Sequence, residues 1–540
     1  MKFKQLTKLP PNAKVGVVGG GISGLFFTYY LSKLRPDVNI TLIDQNQGRL
    51  GGWIYSWNTQ DKQGKDVMLE RGPRTLRGIS DGTVLMIDAI KKLGHSDKVS
   101  CIEEQSPANR KFLLGPNNAL VQVPDSWVTF CKFYASPLAK GLTKSVLFEW
   151  ARPKKKDYKD ESVEQLIKRR FGSNLLGQNI MSAIYHGIYA DDISTLSAKR
   201  VAANLFCDEQ KYGSTLKAAL MKLLHQRGSQ KFNSEELSPV LQAYQSNFHG
   251  NAHEIFQLSK KLKNYPMLSF EGGLSVVPNS ITSAIKDMPN VSILNKRVTQ
   301  LISKDKKLQL AFSNNNSDIG SEKFDHVRFS LVPNYIQNIF SEENNRELIR
   351  KLQKIKYNTV LLVNFYHPTK DIITTKYDSF GYLVPKSNSN PEHLLGVIFD
   401  SVIEKNRKPL FPTSTNGNHS NENKNYTKLT AMVGGHLLND LQGNPIVPDK
   451  NTVIDQVKNA LKKHLHVSDK DLNDGLWVYT AANDCLPRFN VGFNELADEI
   501  ENQVIKQYNG NVSFGGMAFS KGPGIPDVVV DSMLDAIKLK

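Results

Sequence analysis

A glycine-rich turn near the start of the chain has the residue types and spacing that bind a dinucleotide. The pattern G-x-G-x-x-G follows the short apolar run 14–18 and comprises Gly19, Gly21, Ile22, Ser23 and Gly24. Its first glycine permits a tight turn, its second lets a pyrophosphate approach the backbone, and its third lets the next helix pack closely on the strand. The N–H groups at the start of that helix would then face the phosphates.

An acidic residue follows at the distance that a nucleotide-binding fold requires. Asp44 ends the apolar run 39–43, twenty residues after Gly24. Its carboxylate is placed to accept hydrogen bonds from the ribose hydroxyls of an adenosine, and Gln45 beside it is a further expected contact. A lone glycine pattern also fits an ordinary tight turn. The strand, the helix and the terminal acid together favour nucleotide binding.

Three more motifs resemble elements of the amine-oxidase-type flavoprotein superfamily, and their order favours FAD over NAD. They comprise Arg49, Gly51, Gly52 and Trp53; then Gly72, Pro73 and Arg74; and finally Gly515, Gly516, Gly524, Ile525 and Pro526. In that superfamily the first motif meets the FAD diphosphate and the second lies near the flavin. The third opens a helix whose positive N-terminus faces the flavin pyrimidine. The resemblance also implies a cofactor contact at Val298.

Further stretches resemble the mitochondrial-type protoporphyrinogen oxidases within that superfamily. They are G-G-W-I-Y-S at 51–56, S-F-G-Y-L-V-P at 379–385, L-G-V-I-F-D-S at 395–401 and M-V-G-G at 432–435. The resemblance covers most of the chain and thins in 117–180, 225–262 and 405–425. It implies oxidation of protoporphyrinogen IX to protoporphyrin IX by FAD and dioxygen, with release of hydrogen peroxide, in haem biosynthesis. It also implies attachment to the mitochondrial inner membrane, peripherally or monotopically, with a homodimer and contact with the next haem-pathway enzyme as further expectations.

The same resemblance assigns a substrate cavity beside the flavin. Phe380 and Leu383 would sandwich the pyrrole rings, and Met432 would form an adaptable wall. Gly381 would let the reacting meso carbon approach the flavin because it has no side chain. An ordinary strand core gives the same apolar pattern. No catalytic acid or base is assigned, because the flavin carries the electron chemistry.

One cation is expected to bind a substrate propionate. Aligning Phe112 with the family's Phe puts Lys111 in that position, and Arg110 is the second choice. In an extended segment the two side chains point to opposite faces, so only one can line the cavity. A solvated surface charge is the alternative for either residue.

Cys485 raises the question of a covalent flavin link. It lies about as far ahead of the closing FAD motif as the flavin-linked cysteine of monoamine oxidases. It also sits in D-C-L-P at 484–487, which resembles the N-C-I-P of protoporphyrinogen oxidases that hold FAD without a covalent bond. Non-covalent FAD is therefore the expectation.

The stretch 126–156 alternates cations with aromatic and aliphatic residues, as in a surface that lies on an anionic membrane. This stretch contains the single acid Glu149 and seven cations, namely Lys132, Lys140, Lys144, Arg152, Lys154, Lys155 and Lys156. An amphipathic helix pair that covers a core gives the same pattern. The resemblance favours the membrane, because the membrane-binding insertion of the mitochondrial-type enzymes lies here.

The bulk properties agree with a large globular enzyme. The 540 residues suffice for two or three domains, and the formal charge of +17 suggests an anionic partner. Nucleic acid ranks last, because no zinc finger, RNP motif or basic helix register is present. Four scattered cysteines without a CxxC pair give little support for a metal site.

These patterns together predict an α/β and α+β protein with three parts. A Rossmann-like FAD-binding domain is assembled from residues 1–104, 271–335 and 486–540. A mixed-sheet substrate domain comprises residues 105–116, 208–270 and 336–485. A mainly helical membrane-binding domain spans residues 117–207.

Two alternatives stay open at this point. The first is another FAD enzyme, an amine oxidase or a desaturase. The second is a non-catalytic binding protein similar to the Rab GDP-dissociation inhibitors, which share the fold. The four intact FAD motifs argue against the second alternative.

Overall fold

In the computed structural model the apolar runs form strands and the amphipathic stretches form helices. The structure describes residues 6–46, 48–155, 157, 159–229, 237–248, 250–304, 307–314, 318–369, 372–412, 426–440 and 442–540. The strands are β1 (Lys14–Val18), β2 (Asn39–Ile43), β3 (Ser56–Gln60), β4 (Asp66–Glu70), β5 (Val99–Ile102), β6 (Phe112–Leu114), β7 (Leu120–Gln122), β8 (Met267–Phe270), β9 (Val291–Leu294), β10 (Arg297–Lys304), β11 (Lys307–Asn314), β12 (Asp318–Phe324), β13 (His326–Phe329), β14 (Tyr357–His367), β15 (Gly381–Leu383), β16 (Leu394–Ile398), β17 (Lys408–Pro409), β18 (Thr427–Gly434), β19 (Leu476–Pro487) and β20 (Val512–Phe514). The helices are α1 (Ile22–Leu34), α2 (Asp81–Lys92), α3 (Trp127–Tyr134), α4 (Leu142–Leu147), α5 (Val163–Phe171), α6 (Ser182–Tyr189), α7 (Ala198–Val201), α8 (Ala203–Tyr212), α9 (Thr215–Ser229), α10 (Pro239–Phe248), α11 (Ala252–Lys263), α12 (Val276–Lys286), α13 (Pro333–Ile336), α14 (Glu342–Lys354), α15 (Asp400–Lys405), α16 (Lys450–Leu465), α17 (Asp469–Asp474), α18 (Phe493–Gln507) and α19 (Ile525–Lys538).

A five-stranded parallel sheet forms under the first glycine turn, in the order β20-β13-β1-β2-β9. Its strands come from the start, the middle and the end of the chain. Strand β1 is buried along 15–18, as expected for a parallel strand covered on both faces. The prediction of a cofactor fold assembled from separated segments is confirmed.

Helices α1, α2, α12 and α19 pack together beside this sheet and share one apolar core with it. Helices α10 and α11 join the same core through Leu241, Tyr244, Ile255 and Leu262. The predicted division placed them in the substrate segment 208–270. In the structure the apolar faces of α10 and α11 pack on α2 and α19 of the cofactor core instead. Residue spacing along the chain does not reveal that contact.

A seven-stranded mixed sheet forms the second layer, in the order β19-β14-β18-β16-β15-β6-β7. Only the pairing of β15 with β6 is parallel. One face packs on α16 through Tyr382, Val397, Ala431 and Val433, with Val453 and Val457 on the helix side. On the other face Leu383 packs against Gly187 of α6, and the rest of that face borders the site described below.

A helical unit spans α3 to α9 and is stabilised by a buried charge network. Glu149 is fully buried and accepts hydrogen bonds from Arg170, Ser214 and Thr215. Helix α8 crosses the predicted boundary at 207, and α9 packs on α8 and on Glu149–Ala151. The helical unit is therefore longer than predicted, because the network ties the start of α9 to Glu149.

Candidate active site

The first glycine turn joins β1 to α1 in the predicted geometry. Gly19 has φ +107°, which favours glycine. A Cβ on Gly24 would overlap the carbonyl oxygen of Gly19, so strand and helix touch there. A Cβ on Gly21 would meet only the Cα of Gly52, at 4.0 Å. The second glycine therefore borders open space, as an approaching pyrophosphate requires.

The second glycine turn is bound directly to the first. The N–H of Gly51 donates to the carbonyl of Gly20 at 2.8 Å, and Gly21 and Gly51 form a parallel bridge. Arg49 braces this turn by donating to the carbonyls of Gly52 and Ile54, at 3.0 and 3.2 Å. The two motifs, about thirty residues apart in sequence, thus form one cradle.

The acid predicted to bind ribose lies at the rim of this cradle. One carboxylate oxygen of Asp44 accepts from the N–H of Gly20 at 2.6 Å, and the other from the N–H of Asn46 at 2.7 Å. Gln45 is exposed beside it. Val298 is buried in β10, in the same apolar cluster as Ile43 at the end of β2. The structure therefore places Asp44 and Gln45 side by side at this rim.

The closing motif places a second helix N-terminus near the site. Gly524 is the N-cap of α19, and Ile525 and Pro526 form its first turn. A Cβ on Gly82, in the first turn of α2, would overlap the carbonyl of Pro526, so the two helix starts touch. Gly516 has φ +95° and borders open space. Such an N-terminus stabilises negative charge on a bound group.

Arg74 of the G-P-R motif forms a buried ion pair with Asp400. The atoms Nη1 and Oδ1 are 2.5 Å apart, and each side chain is only 8% exposed. Thr430 donates to the other oxygen of Asp400, and Asn364 donates to Thr430. Asn364 also donates to the carbonyl of Glu70, next to the motif. Pro73 is exposed, and Gly72 packs against the half-exposed Trp53.

Sequence reasoning missed this network. Asp400 stands within the L-G-V-I-F-D-S stretch, but no partner for it is visible in the sequence. The available signal was an acid inside an otherwise apolar strand segment, since a buried carboxylate requires a cation.

The predicted substrate residues share one face of the seven-stranded sheet. Gly381 pairs with Ile398, Leu383 pairs with Gly396, and Gly396 pairs with Met432. Paired residues lie on one face, and alternate residues along a strand return to it. The side chains of Leu383 and Met432 therefore point the same way, and Gly381 lies on the same face. Phe380 precedes β15 and packs in a cluster with Met432.

This same face turns towards the G-P-R motif. Thr430 and Asn364 lie on it, and they make the hydrogen bonds to Asp400 and Glu70. Arg71 also reaches it, through a 2.7 Å hydrogen bond to Thr480. The apolar residues predicted to bind substrate thus face the motif predicted to lie near the flavin.

Lys111 and Arg110 lie on opposite faces, as predicted for an extended segment. Leu113 pairs with Leu383, so Lys111, two residues earlier, lies on the face of the site. Desolvation of its ammonium group and the nearby Arg77 lower the pKa of Lys111, although the side chain keeps solvent access. Arg110 is exposed and contributes its carbonyl to Phe380. The neighbouring cation Arg77 was not predicted.

Cys485 is a protonated thiol. It is 9% exposed, and burial raises its pKa to about 12. Its Sγ lies 3.5 Å from the carbonyl of Asn358. A thiol with that pKa is a poor nucleophile at neutral pH. In the part of the chain that the structure describes, no cluster of His, Cys, Asp or Glu is arranged to hold a metal ion.

A family model described as flavin-containing amine oxidoreductase matches residues 22–479. The chain belongs to this family. Among its relatives, a protoporphyrinogen oxidase of Saccharomyces cerevisiae is 46% identical over 99% of both chains. A protoporphyrinogen oxidase of Schizosaccharomyces pombe is 28% identical over 97% of this chain and 98% of the relative.

Solved structures show the same fold at low sequence identity. A putative protoporphyrinogen oxidase from Exiguobacterium covers 98% of this chain and 99% of its own, with TM-score 0.69 and 19% identity. Cyclohexylamine oxidase from Brevibacterium oxydans covers 97% and 99%, with TM-score 0.56 and 14% identity. The cofactor of this flavin-containing family is FAD, and the joined glycine turns, Asp44 and the start of α19 fit it.

Replacing Gly21 with Val tests the cradle. No described protein atom lies closer than 4.0 Å to the new Cβ, and the residue's φ of −70° suits valine. We expect colourless protein with far less than one FAD per chain, because the side chain enters the space left for the pyrophosphate. The measurement is the flavin absorbance released by denaturant.

The matched control is Gly320→Val in strand β12, where a Cβ also finds room. It should keep its full FAD content. A Gly21→Val protein that retains full FAD would show that the phosphates bind elsewhere.

Proposed function

We propose that this chain oxidises protoporphyrinogen IX to protoporphyrin IX, consuming three dioxygen molecules and releasing three molecules of hydrogen peroxide. The observation that carries the proposal is the 46% identity with the protoporphyrinogen oxidase of Saccharomyces cerevisiae over 99% of both chains. The apolar face of the seven-stranded sheet supports it, because a flexible, mostly apolar macrocycle needs a broad apolar wall.

The protein's own residues bind and orient the substrate. Leu383 and Met432 offer apolar contact from one face, with Phe380 beside them. Gly381 has φ +140°, and a Cβ there would overlap the carbonyl oxygen of Val397, so the close approach that this glycine permits is to strand β16. The pair Arg74–Asp400 holds this face against the G-P-R loop. Bound FAD supplies the two-electron acceptor that dioxygen regenerates. The protonated, buried Cys485 favours a cofactor held without a covalent bond.

The alternatives have weaker support. The family model names amine oxidoreductases in general, and the likeness to particular amine oxidases rests on solved structures at 14% identity, which show the fold alone. A non-catalytic binding protein has no need for the open cradle at Gly21.

The decisive assay follows the fluorescence of protoporphyrin appearing from its colourless precursor. We expect fluorescence and peroxide to rise together with purified, yellow protein. Spermine and phytoene should give no oxygen consumption. A yellow protein that consumes oxygen with spermine and not with protoporphyrinogen would refute the proposal.

Replacing Lys111 with Ala should raise the KM for protoporphyrinogen and leave FAD content unchanged. The expected loss is about 1.5 to 3 kcal/mol, the range for a hydrogen bond to a charged group. Arg110→Ala is the matched control, because its side chain lies on the other face of the segment. With a substrate whose propionates are esterified, Lys111→Ala and the unmodified enzyme should have the same KM. An equal loss on the ester would show that Lys111 does not bind the carboxylate.

We also propose that the helical unit attaches the protein to an anionic membrane. Its support is a surface of exposed apolar side chains, which we call the apolar surface: Trp127, Val128, Phe130, Tyr134, Leu147, Phe148, Trp150 and Leu175. Ring contacts join Trp127, Phe130 and Tyr134, and Tyr134 is hydrogen-bonded to Thr143 of α4. Exposed aromatic residues in contact with one another suit the membrane interface.

Most charged residues of 125–157 are cations, and the exposed acids there are Asp125 and Asp157. Glu149, the single acid of 126–156, is buried and paired with Arg170, so it does not offset the cations. Lys155 lies near Asp157 and Glu161, and Lys156 lies outside the described residues. Phe133 and Leu138, two apolar residues of the same stretch, are instead buried in a cluster that they share with Leu113 of β6.

No helix in the described residues is long and apolar enough to cross a membrane. Attachment to one leaflet is therefore the form of contact that we propose. The mitochondrial inner membrane, a homodimer and contact with the next enzyme of haem synthesis stay predictions.

Replacing Trp127 and Trp150 together with Ser should weaken binding to anionic vesicles more than ten-fold. These side chains are 79% and 70% exposed, and burial of one large apolar side chain contributes about 1.5 to 3 kcal/mol. Vesicle co-sedimentation measures the effect. The control replaces Tyr335 and Ile446 with Ser, because these large side chains are 54% and 67% exposed but lie outside the helical unit. Equal losses in both variants would mean that the apolar surface is not the contact.

A further inference from the structure

A cavity of about 560 Å³ opens beside the apolar surface. It lies between α4, the segment Glu149–Ala151 and the end of α5. Its walls include two cations and three large apolar side chains, namely Lys144, Arg152, Phe148, Phe171 and Leu175. The volume lies within the usual range for a small-molecule site. Phe148 and Leu175 also belong to the apolar surface, so the cavity opens at the level where a membrane would lie.

Arg152 is held in this cavity without a carboxylate partner among the described residues. Its guanidinium packs directly on Gly172, the C-cap of α5, where a Cβ would overlap it. Its Nε is buried and makes no hydrogen bond within the described part of the chain. A buried donor without a partner destabilises a protein unless a ligand satisfies it.

The arginines of the neighbouring charge network, unlike Arg152, have carboxylate partners in the described part of the chain. Arg170 donates to Glu149, and Arg169 donates to Glu161 and Glu209. The helical unit thus supplies carboxylates to two arginines and none, in the described residues, to Arg152. Lys144 also lines the cavity, is exposed, and has no ion pair among the described residues.

We infer that this cavity binds one acidic phospholipid. The phosphate would lie between Arg152 and Lys144, which complement its charge, and guanidinium binds phosphate oxygens well. An acyl chain would lie on Phe148, Phe171 and Leu175. A free phosphate ion satisfies the cations but leaves the apolar wall uncovered. The inference rests on the proposed membrane attachment and makes it specific for one lipid class.

Native mass spectrometry of the FAD-loaded protein in a non-ionic detergent tests this directly. The probes are equimolar phosphatidylglycerol and phosphatidylcholine with the same acyl chains. We expect one phosphatidylglycerol per chain, bound about ten-fold or more in preference to phosphatidylcholine. Excess inorganic phosphate should leave that complex in place.

Two variants of the cavity and one control sharpen the test. Arg152→Gln should reduce the preference for phosphatidylglycerol over phosphatidylcholine about ten-fold. Ala151→Trp fills the cavity without changing charge and should lose the bound lipid, so a folding defect in one variant does not decide the result. Lys140→Gln removes an equal charge from the exposed surface outside the cavity wall and should bind lipid as the unmodified chain does.

The opposite results overturn the inference. Equal binding of the two lipids, no lipid bound, or displacement by phosphate alone would each show that the cavity is not a phospholipid site. Failure of the wider membrane proposal looks different, because the unmodified chain would then not bind anionic vesicles. The detergent experiment does not depend on vesicles, so the two failures are distinguishable.

Discussion

The buried pair between Arg74 and Asp400 joins the two halves of the site. Arg74 belongs to the loop that follows β4, and Asp400 begins α15, directly after the central strand β16 of the seven-stranded sheet. Two charges taken out of water are stable only when paired and hydrogen-bonded, and removing one partner typically costs about 3 to 5 kcal/mol. The pair, with Thr430 and Asn364, therefore sets which face of the sheet meets the cofactor loop.

That orientation decides what the site can hold. The face towards α16 is filled by its own apolar core, whereas the face towards the G-P-R motif carries Gly381, Leu383 and Met432. A polar network at one end and an apolar wall along the rest suit a ligand that must be positioned without charged contacts at its reacting centre. The cations Lys111 and Arg77 near β6 leave positive charge for the acidic ends of such a ligand.

The helical unit exposes several aromatic side chains and still has a well-packed interior. Its interior combines a charge network around Glu149 and Arg170 with buried apolar side chains such as Leu166 and Ile167, while Trp127 and Trp150 are exposed. Burial of Glu149, which is paired with Arg170, removes one acid from the surface of 126–156. Both features favour contact with an anionic leaflet.

The sequence by itself determined the cofactor fold and its glycine turns. The roles of Gly19, Gly21 and Gly24 depend on backbone conformation and close approach over a few residues, which local pattern records faithfully. Strand alternation likewise predicted that Lys111 and Arg110 would point to opposite faces.

Only the tertiary structure decided the partners that lie far apart in sequence. It joined Gly51 to Gly20 and Arg74 to Asp400, and it packed α10 and α11 on the cofactor core rather than with the substrate sheet. It also separated the buried Phe133 from the exposed Trp127 within one helix. The physical reason is that an ion pair or an apolar contact depends on distance in space, and residue order carries little information about that distance.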